Sequence, residues 1–471
     1  MPSPLQFLVR CVMSVLVLVA ADPLHAQQVP TFPASDQAKV DDIVRDALRN
    51  TRVPSVSVAI VADGQVVYRK AYGQAQLSPS RAANSAMRYG IGSISKEFLA
   101  AALLMLESEG RIKLDDKVGM YIPNLGPAGD ATLRQLLSHT AGIRDYWPQD
   151  YVFTDMLTPI SRDALIDHWA RQPLDYTPGD RWQYSNTGYV LAGTVLEKVS
   201  GQSLFQFLQD RVFRPLKMKS VIDNDKGQVG PDDATGYTAI GLGPLKPGPK
   251  EAPGWLFAAG ELAMTAEDLA QWDISIIDQS LMSHAAYQSM EKETLLNNGA
   301  GTRYGLGLGV RLESERRVLS HSGGVSGFTT DNTIYPDARA AIVVLTNSDA
   351  DDVSSDITKK LQDLLFVAAS PQDMAKRDLA RKTFENLMQG KIDRTLFSDN
   401  FNNYFTTSAV KDTAQSLSRL GSLKSFELTS IGTRGGMETR TYKVELTKKT
   451  FGLVVRAWPD GKFEQYMLFS Y

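Results

Sequence analysis

Ser93 and Lys96 stand three residues apart in the stretch Gly90-Ile91-Gly92-Ser93-Ile94-Ser95-Lys96. A serine hydroxyl becomes an effective nucleophile once a neighbouring base removes its proton. An amine one helical turn away can be that base if its surroundings keep it neutral. The run Phe98-Leu99-Ala100-Ala101-Ala102-Leu103-Leu104-Met105-Leu106 is apolar on every side, which predicts a buried helix over residues 97–109 ended by Gly110. Ser93 then lies at the helix N-terminus with Lys96 on the same face. Desolvation and the positive end of the helix dipole both lower the lysine pKa there, and free N–H groups are at hand for an oxyanion. Ser289/Lys292 and Ser408/Lys411 share the spacing but lack this context. Spacing alone is not the signal.

Two further groups follow in chain order. Tyr184 and Asn186 flank Ser185 in a turn-rich segment that precedes a helical pattern. A loop can project a phenol and an amide into a cleft, the phenol relaying protons and the amide orienting a lysine or holding a carbonyl. His321-Ser322-Gly323-Gly324 lies between strand patterns, where glycines admit a substrate backbone and an imidazole could hold a carboxylate or assist a leaving group. His139 is a rival base, although no acidic partner for it is evident along the chain. There is no Gly-x-Ser-x-Gly elbow, which disfavours an α/β-hydrolase.

The elements that must position these groups divide into two sets. A helical pattern carries Val40, Ile43, Val44, Ala47 and Leu48, and a hairpin turns at Asp63-Gly64. Strand patterns reappear far downstream at 304–310, 317–320, 329–335 and 341–346, with a long helical region between. A helix over 355–368 completes this unit, and Ser370-Pro371 marks its boundary. Beyond it come a helical segment at 373–389 and strands at 426–431, 441–446, 451–458 and 463–469. The implied fold is α+β: an antiparallel sheet from both chain ends, flanked by helices with a large helical insertion, plus a smaller α+β domain over 372–471. The helix-then-curved-sheet order of that smaller domain resembles the cone-shaped nuclear-transport-factor-2-like domains.

Jointly, Ser93-x-x-Lys96, Tyr184-x-Asn186 and His321-x-Gly323 resemble the three motifs of the penicillin-recognising serine hydrolases. The branch of class C beta-lactamases, D-alanyl-D-alanine carboxypeptidases and serine esterases is the most similar, and the resemblance spans residues 37–368. It implies Ser93 as nucleophile, with Lys96 and Tyr184 transferring protons. Asn186, His321, Ser322, Gly323 and Gly324 would line the substrate, with the N–H groups of Ser93 and Gly324 as oxyanion hole. Where class C beta-lactamases carry Lys-Thr-Gly this chain has His-Ser-Gly, which favours a D-amino-acid peptide or small ester over a beta-lactam. A true beta-lactamase and a non-catalytic ligand sensor are the alternatives.

Composition narrows the rest. The chain has 471 residues and a net charge of −3, which argues against a nucleic-acid partner. Its single cysteine, Cys11, lies in an N-terminal segment whose Arg10, apolar core and Leu24-His25-Ala26 read as a secretory signal over residues 1–26. The mature chain would therefore have no disulfide or thiolate metal site. No cofactor and no metal are expected, nor a membrane anchor once the signal is removed. The expectation is a periplasmic enzyme acting on a small molecule or short peptide.

Overall fold

A computed structural model describes residues 34–469 apart from 150, 228, 229, 232, 314, 315 and 368–370. The signal segment, Cys11 and the boundary residue Ser370 lie outside the described residues. Helix α1 (Ala34–Asn50) leads into the hairpin β1 (Ser55–Ala62) and β2 (Gln65–Leu77), followed by a short β3 (Ser80–Ala82). The inserted region contributes α2 (Ser95–Ser108), α3 (Asn186–Ser200) and α4 (Ala266–Asp278). The sheet resumes with β4 (Gly309–Glu313), β5 (Arg316–Val325), β6 (Phe328–Tyr335) and β7 (Ala340–Thr346), and α5 (Ser354–Val367) closes the unit. Among the described residues these seven strands form one antiparallel sheet in the order β3-β2-β1-β7-β6-β5-β4.

The central strand is apolar on both faces because helices cover both. Val56, Val58 and Ile60 face a core shared with Val40 and Val44 of α1 and with Ile357, Leu361 and Leu365 of α5. Ala59 and Val61 face the opposite core, which holds α2 and the rest of the insertion. The period-2 alternation of one strand thus feeds two cores. Residues 98–104 of α2 are at most 1% exposed, which explains a sequence with no polar stripe.

Two expectations are corrected. The strand expected over 304–310 begins only at Gly309. Residues 304–308 turn instead, closed by Gly305 N–H to the Leu308 carbonyl at 2.9 Å, and Gly307 N–H ties the turn to the Leu137 carbonyl at 3.2 Å. The segment His321–Gly324 also does not lie between strands. It is inside β5, where His321 pairs with Asn332 and Gly323 with Thr330, because β6 continues the ladder past both glycines.

The C-terminal unit comprises α6 (Pro371–Met388), a short helix Asp399–Tyr404, and α7 (Thr407–Ser418). An antiparallel meander follows, β8 (Leu423–Arg434), β9 (Met437–Leu446), β10 (Thr450–Ala457) and β11 (Phe463–Phe469). Its core, built on Phe384, Tyr442, Leu453 and Phe463, shares no residue with the other two cores. The unit is therefore mixed α+β. The helices Asp399–Tyr404 and Thr407–Ser418 add to the one helix that the pattern had predicted there.

Candidate active site

Ser93 occupies the middle of a single tight turn, Gly92–Ile94, that runs directly into α2. Gly92 has φ of +51°, and a Cβ on it would lie 2.7 Å from the backbone nitrogen of Gly324. Only glycine fits, and its absence of side chain brings the Gly324 amide against the Ser93 turn. Gly323 is equally constrained, since a Cβ there would lie 1.9 Å from the Ile91 carbonyl oxygen. Thr330 Oγ1 donates to that same carbonyl at 3.2 Å, locking β6 to the turn. The N–H groups of Ser93 and Gly324 are thus carried by two segments in direct contact.

Lys96, in the first turn of α2, is fully buried. Its Nζ donates to Ser93 Oγ at 2.9 Å and to the Ala259 carbonyl at 2.5 Å. Burial pulls its pKa down to about 7, and the charge of Asp145 opposes that fall. A neutral amine with hydrogen-bond contact to a serine hydroxyl is the arrangement that accepts a proton near neutral pH. The Tyr184 and Tyr189 rings lie 5.0 and 5.3 Å from Nζ and close the space around it.

The middle motif is set by capping. Ser185 is the N-cap of α3, its hydroxyl accepting from Gly188 N–H at 3.2 Å. Tyr184 is left before the helix and Asn186 becomes its first residue. Asn186 is held by Asp145, which accepts from its backbone N–H at 3.0 Å and from Nδ2 at 3.2 Å. Asp145 therefore links the amide to the lysine electrostatically. Sequence reading missed it because it lies in the loop after Ile143, where no local pattern marks a function.

His139 is not placed as a base. It is 1% exposed, stacks on Tyr184 with ring centroids 4.1 Å apart, and accepts Ser185 N–H at Nδ1 over 3.1 Å. Burial, then the nearby Lys96 and His321, hold it well below the usual imidazole range. It positions the Tyr184 segment as a neutral ring.

His321 is also neutral. Nδ1 donates to the Ser322 carbonyl at 2.6 Å, which leaves Nε2 to accept from the Tyr304 hydroxyl at 2.8 Å. Burial and then Lys96 lower its pKa to about 4. The expectation that this imidazole could hold a carboxylate is corrected accordingly: both nitrogens are occupied, and a buried imidazole beside an amine resists protonation. Tyr304 is a second residue that sequence reading missed, delivered by the turn at 304–308.

Glu261 completes the frame. Its carboxyl accepts from Ala258 N–H at 3.0 Å, and Ala258 has φ of +62°, so the clamp fixes the strained turn that presents the Ala259 carbonyl to Lys96. Beneath α2, Trp272 Nε1 donates to Glu97 at 2.7 Å, and Asn332 Nδ2 donates to Asp273 at 2.9 Å. Burial pushes Glu97 up to about 8 and Asp273 well above the carboxylate range.

The Ser93 turn opens on a cavity of about 1130 Å³. Ser93, Tyr184, Asn186, His321, Ser322, Gly323 and Gly324 are on its wall, with Lys96 directly behind Ser93. Trp147, Tyr151 and residues of the 238–249 loop form its far side. The arrangement can activate a hydroxyl, hold an oxyanion and admit a substrate of peptide size.

Residues 40–365 match the family model described as Beta-lactamase. The chain is 27% identical over 342 residues to Penicillin-binding protein 4* of Bacillus subtilis (strain 168), covering 69% of this chain and 75% of that protein. Among solved structures, the D-stereospecific amidohydrolase from a Streptomyces species superposes with a TM-score of 0.61 at 26% identity, covering 71% of this chain and 100% of the other. The octameric penicillin-binding protein homologue from Pyrococcus abyssi shares the fold with a TM-score of 0.63 at 23% identity, over 92% of this chain and 99% of that one.

Proposed function

The chain belongs to the beta-lactamase family and is a serine hydrolase of that superfamily, and from this premise we propose that it cleaves small amides or esters through a covalent acyl-enzyme on Ser93. The observation that carries the reading is the 2.9 Å contact between Ser93 Oγ and a fully buried Lys96 whose pKa is about 7. Lys96 takes the hydroxyl proton as Oγ attacks the substrate carbonyl, and the Ser93 and Gly324 N–H groups receive the oxyanion. Collapse breaks the bond to the leaving group, which takes the proton back through Lys96 and Tyr184. Water, deprotonated by the same groups, then hydrolyses the ester to Ser93 and releases the acid.

The favoured substrates are D-amino-acid peptides or short acyl esters, with beta-lactams turned over slowly or not at all. A permanent ammonium at position 321 would hold a lactam carboxylate, and the neutral, doubly bonded His321 offers none. The likeness to a D-stereospecific amidohydrolase agrees with that preference. The N-terminal segment reads as an export signal, so we place the enzyme in the periplasm.

A fluorescent fluorophosphonate tests the chemistry and a substrate screen tests the class. The expected result is stoichiometric labelling abolished by Ser93→Ala, and faster turnover of a D-alanyl peptide or short ester than of any penicillin or cephalosporin. Labelling that survives Ser93→Ala removes the nucleophile assignment. Faster lactam hydrolysis makes the chain a beta-lactamase.

A further inference from the structure

The two most exposed large apolar side chains among the described residues stand on one hairpin that borders the Ser93 cavity. The hairpin pairs Tyr237–Thr238 with Lys246–Pro247, and at its tip Ile240 and Leu242 are 93% and 97% exposed. Ile240 is on the cavity wall with Trp147 and Tyr151, the last of which is 65% exposed. Arg52 holds the tip in place. Its Nη1 donates to the Gly241 and Gly243 carbonyls at 3.0 and 3.3 Å, and its Nη2 donates to Asp351 at 3.0 Å. An anchored backbone thus keeps both side chains in water. Exposed apolar surface continuous with a cavity is the mark of a binding groove.

The two halves of a substrate meet different walls here. Tyr184, His321 and Ser322 line the Ser93 cavity on one side and a second cavity of about 900 Å³ on the other. That second cavity carries Arg311, Glu313, Lys359 and Asp363. Tyr184 returns the proton to the leaving group, so the leaving half departs on its side, towards those charges. Trp147, Tyr151, Asn186 and Ile240 line the first cavity and not the second, and the acyl half that stays on Ser93 is left facing them. The acids of the first cavity are engaged: Asp349 accepts from Gly327 N–H at 2.8 Å, and Asp352 from the Ser354 hydroxyl at 3.2 Å. Lys246 stands at the base of the hairpin and not at its tip.

We propose that the acyl half of the substrate carries a linear apolar chain, which runs from Ser93 along Trp147 and Tyr151 to Ile240 and Leu242, while a polar leaving half faces the second cavity. The inference rests on the serine-hydrolase reading above and narrows its substrate class. Each methylene fully buried between apolar walls multiplies binding about fourfold. Four added methylenes that are half buried therefore gain on the order of tenfold. A chain attached to the leaving half meets charged groups and gains little.

Ester kinetics separate the two halves. The full chain is given p-nitrophenyl acetate and p-nitrophenyl hexanoate below their solubility limits, its active fraction counted by fluorophosphonate labelling. The hexanoate should exceed the acetate in kcat/KM by about tenfold or more, chiefly through KM. Hexyl acetate, with its chain in the leaving half, should exceed ethyl acetate by less than about threefold. Joint replacement by Ile240→Ser and Leu242→Ser should bring the hexanoate-to-acetate ratio down to about threefold or less. Both side chains are more than nine-tenths exposed, so these substitutions spare the core. Hexanoate hydrolysed no faster than acetate overturns the proposal. Labelling of Ser93 in the same sample then leaves the hydrolase reading standing, and absence of labelling removes both. A ratio that the double substitution leaves unchanged overturns the proposal, because the chain then lies elsewhere. A gain for hexyl acetate as large as that for the hexanoate overturns the assignment of the halves.

Discussion

The hydroxyl of Tyr304 lies 2.8 Å from Nε2 of His321, and this contact decides what the histidine can do. With Nδ1 spent on the Ser322 carbonyl, the ring is held in one neutral tautomer. Burial and Lys96 keep it there, with a pKa of about 4. Between pH 5.5 and 8 His321 should therefore show no titration in nitrogen-15 NMR of the imidazole. Tyr304→Phe removes the bond that favours the neutral form and should raise the midpoint. A midpoint near 6.5 in the unaltered protein would restore the histidine as a pH-dependent carboxylate anchor.

In the proposed mechanism Lys96 sets the pH dependence of acylation. Its amine accepts the Ser93 proton only when neutral, and its pKa is lowered to about 7, so activity is low below that value and rises through it. A plot of kcat/KM against pH should show an ascending limb centred near 7. Lys96→Arg keeps a cation that cannot be deprotonated, and should cost roughly 10²- to 10⁴-fold in acylation rate. Near-native labelling by that variant would move the base elsewhere, with Tyr184 the first group to test.

Asp145 offers a finer check on the same amine. Its charge holds the lysine pKa up against burial, and its two oxygens hold Asn186. Asp145→Asn removes the charge while nearly preserving the shape. The ascending limb should move to lower pH, by up to about one unit. An unmoved or raised midpoint would mean that Asp145 acts only through Asn186.

The parts of the site that sequence revealed are those whose cause is local. An all-apolar run ended by Gly110 can only be a buried helix, and Ser93 and Lys96 stand at its start for that reason. Ser185 caps a helix, so Tyr184 and Asn186 fall on either side of that cap. Asp145, Tyr304 and Glu261 were hidden because their roles arise from contacts between distant segments. Tyr304 reaches His321 only because a turn at 304–308 replaces the strand that alternating residues suggested. His321 itself was legible as a site residue, but its charge state depends on burial by elements that no short motif describes. The sheet was largely legible, since β1 and β5 to β7 are long apolar or alternating runs.

The last prediction concerns the two units. The two cores on the Ser93 side close without any described residue beyond Phe366, and the third core begins at Ala380. Helix α5 belongs to the catalytic side through Ile357, Leu361 and Leu365, yet it also touches β8 of the C-terminal meander. A chain ending at residue 369 thus keeps every group named around Ser93 and both cores beneath it, and loses the cover that β8 gives to part of α5. It should fold, acylate with a fluorophosphonate, and hydrolyse short esters at a rate of the same order as the full chain, with a modestly lower Tm from the uncovered helix. Calorimetric unfolding of the full chain should show two transitions, of which the truncated chain retains one. A truncated chain that unfolds cooperatively but fails to acylate would show that the C-terminal unit shapes the Ser93 cavity through α5, whose Ser354 and Ser355 lie on its wall. The division into a catalytic and an accessory unit would then have to be withdrawn.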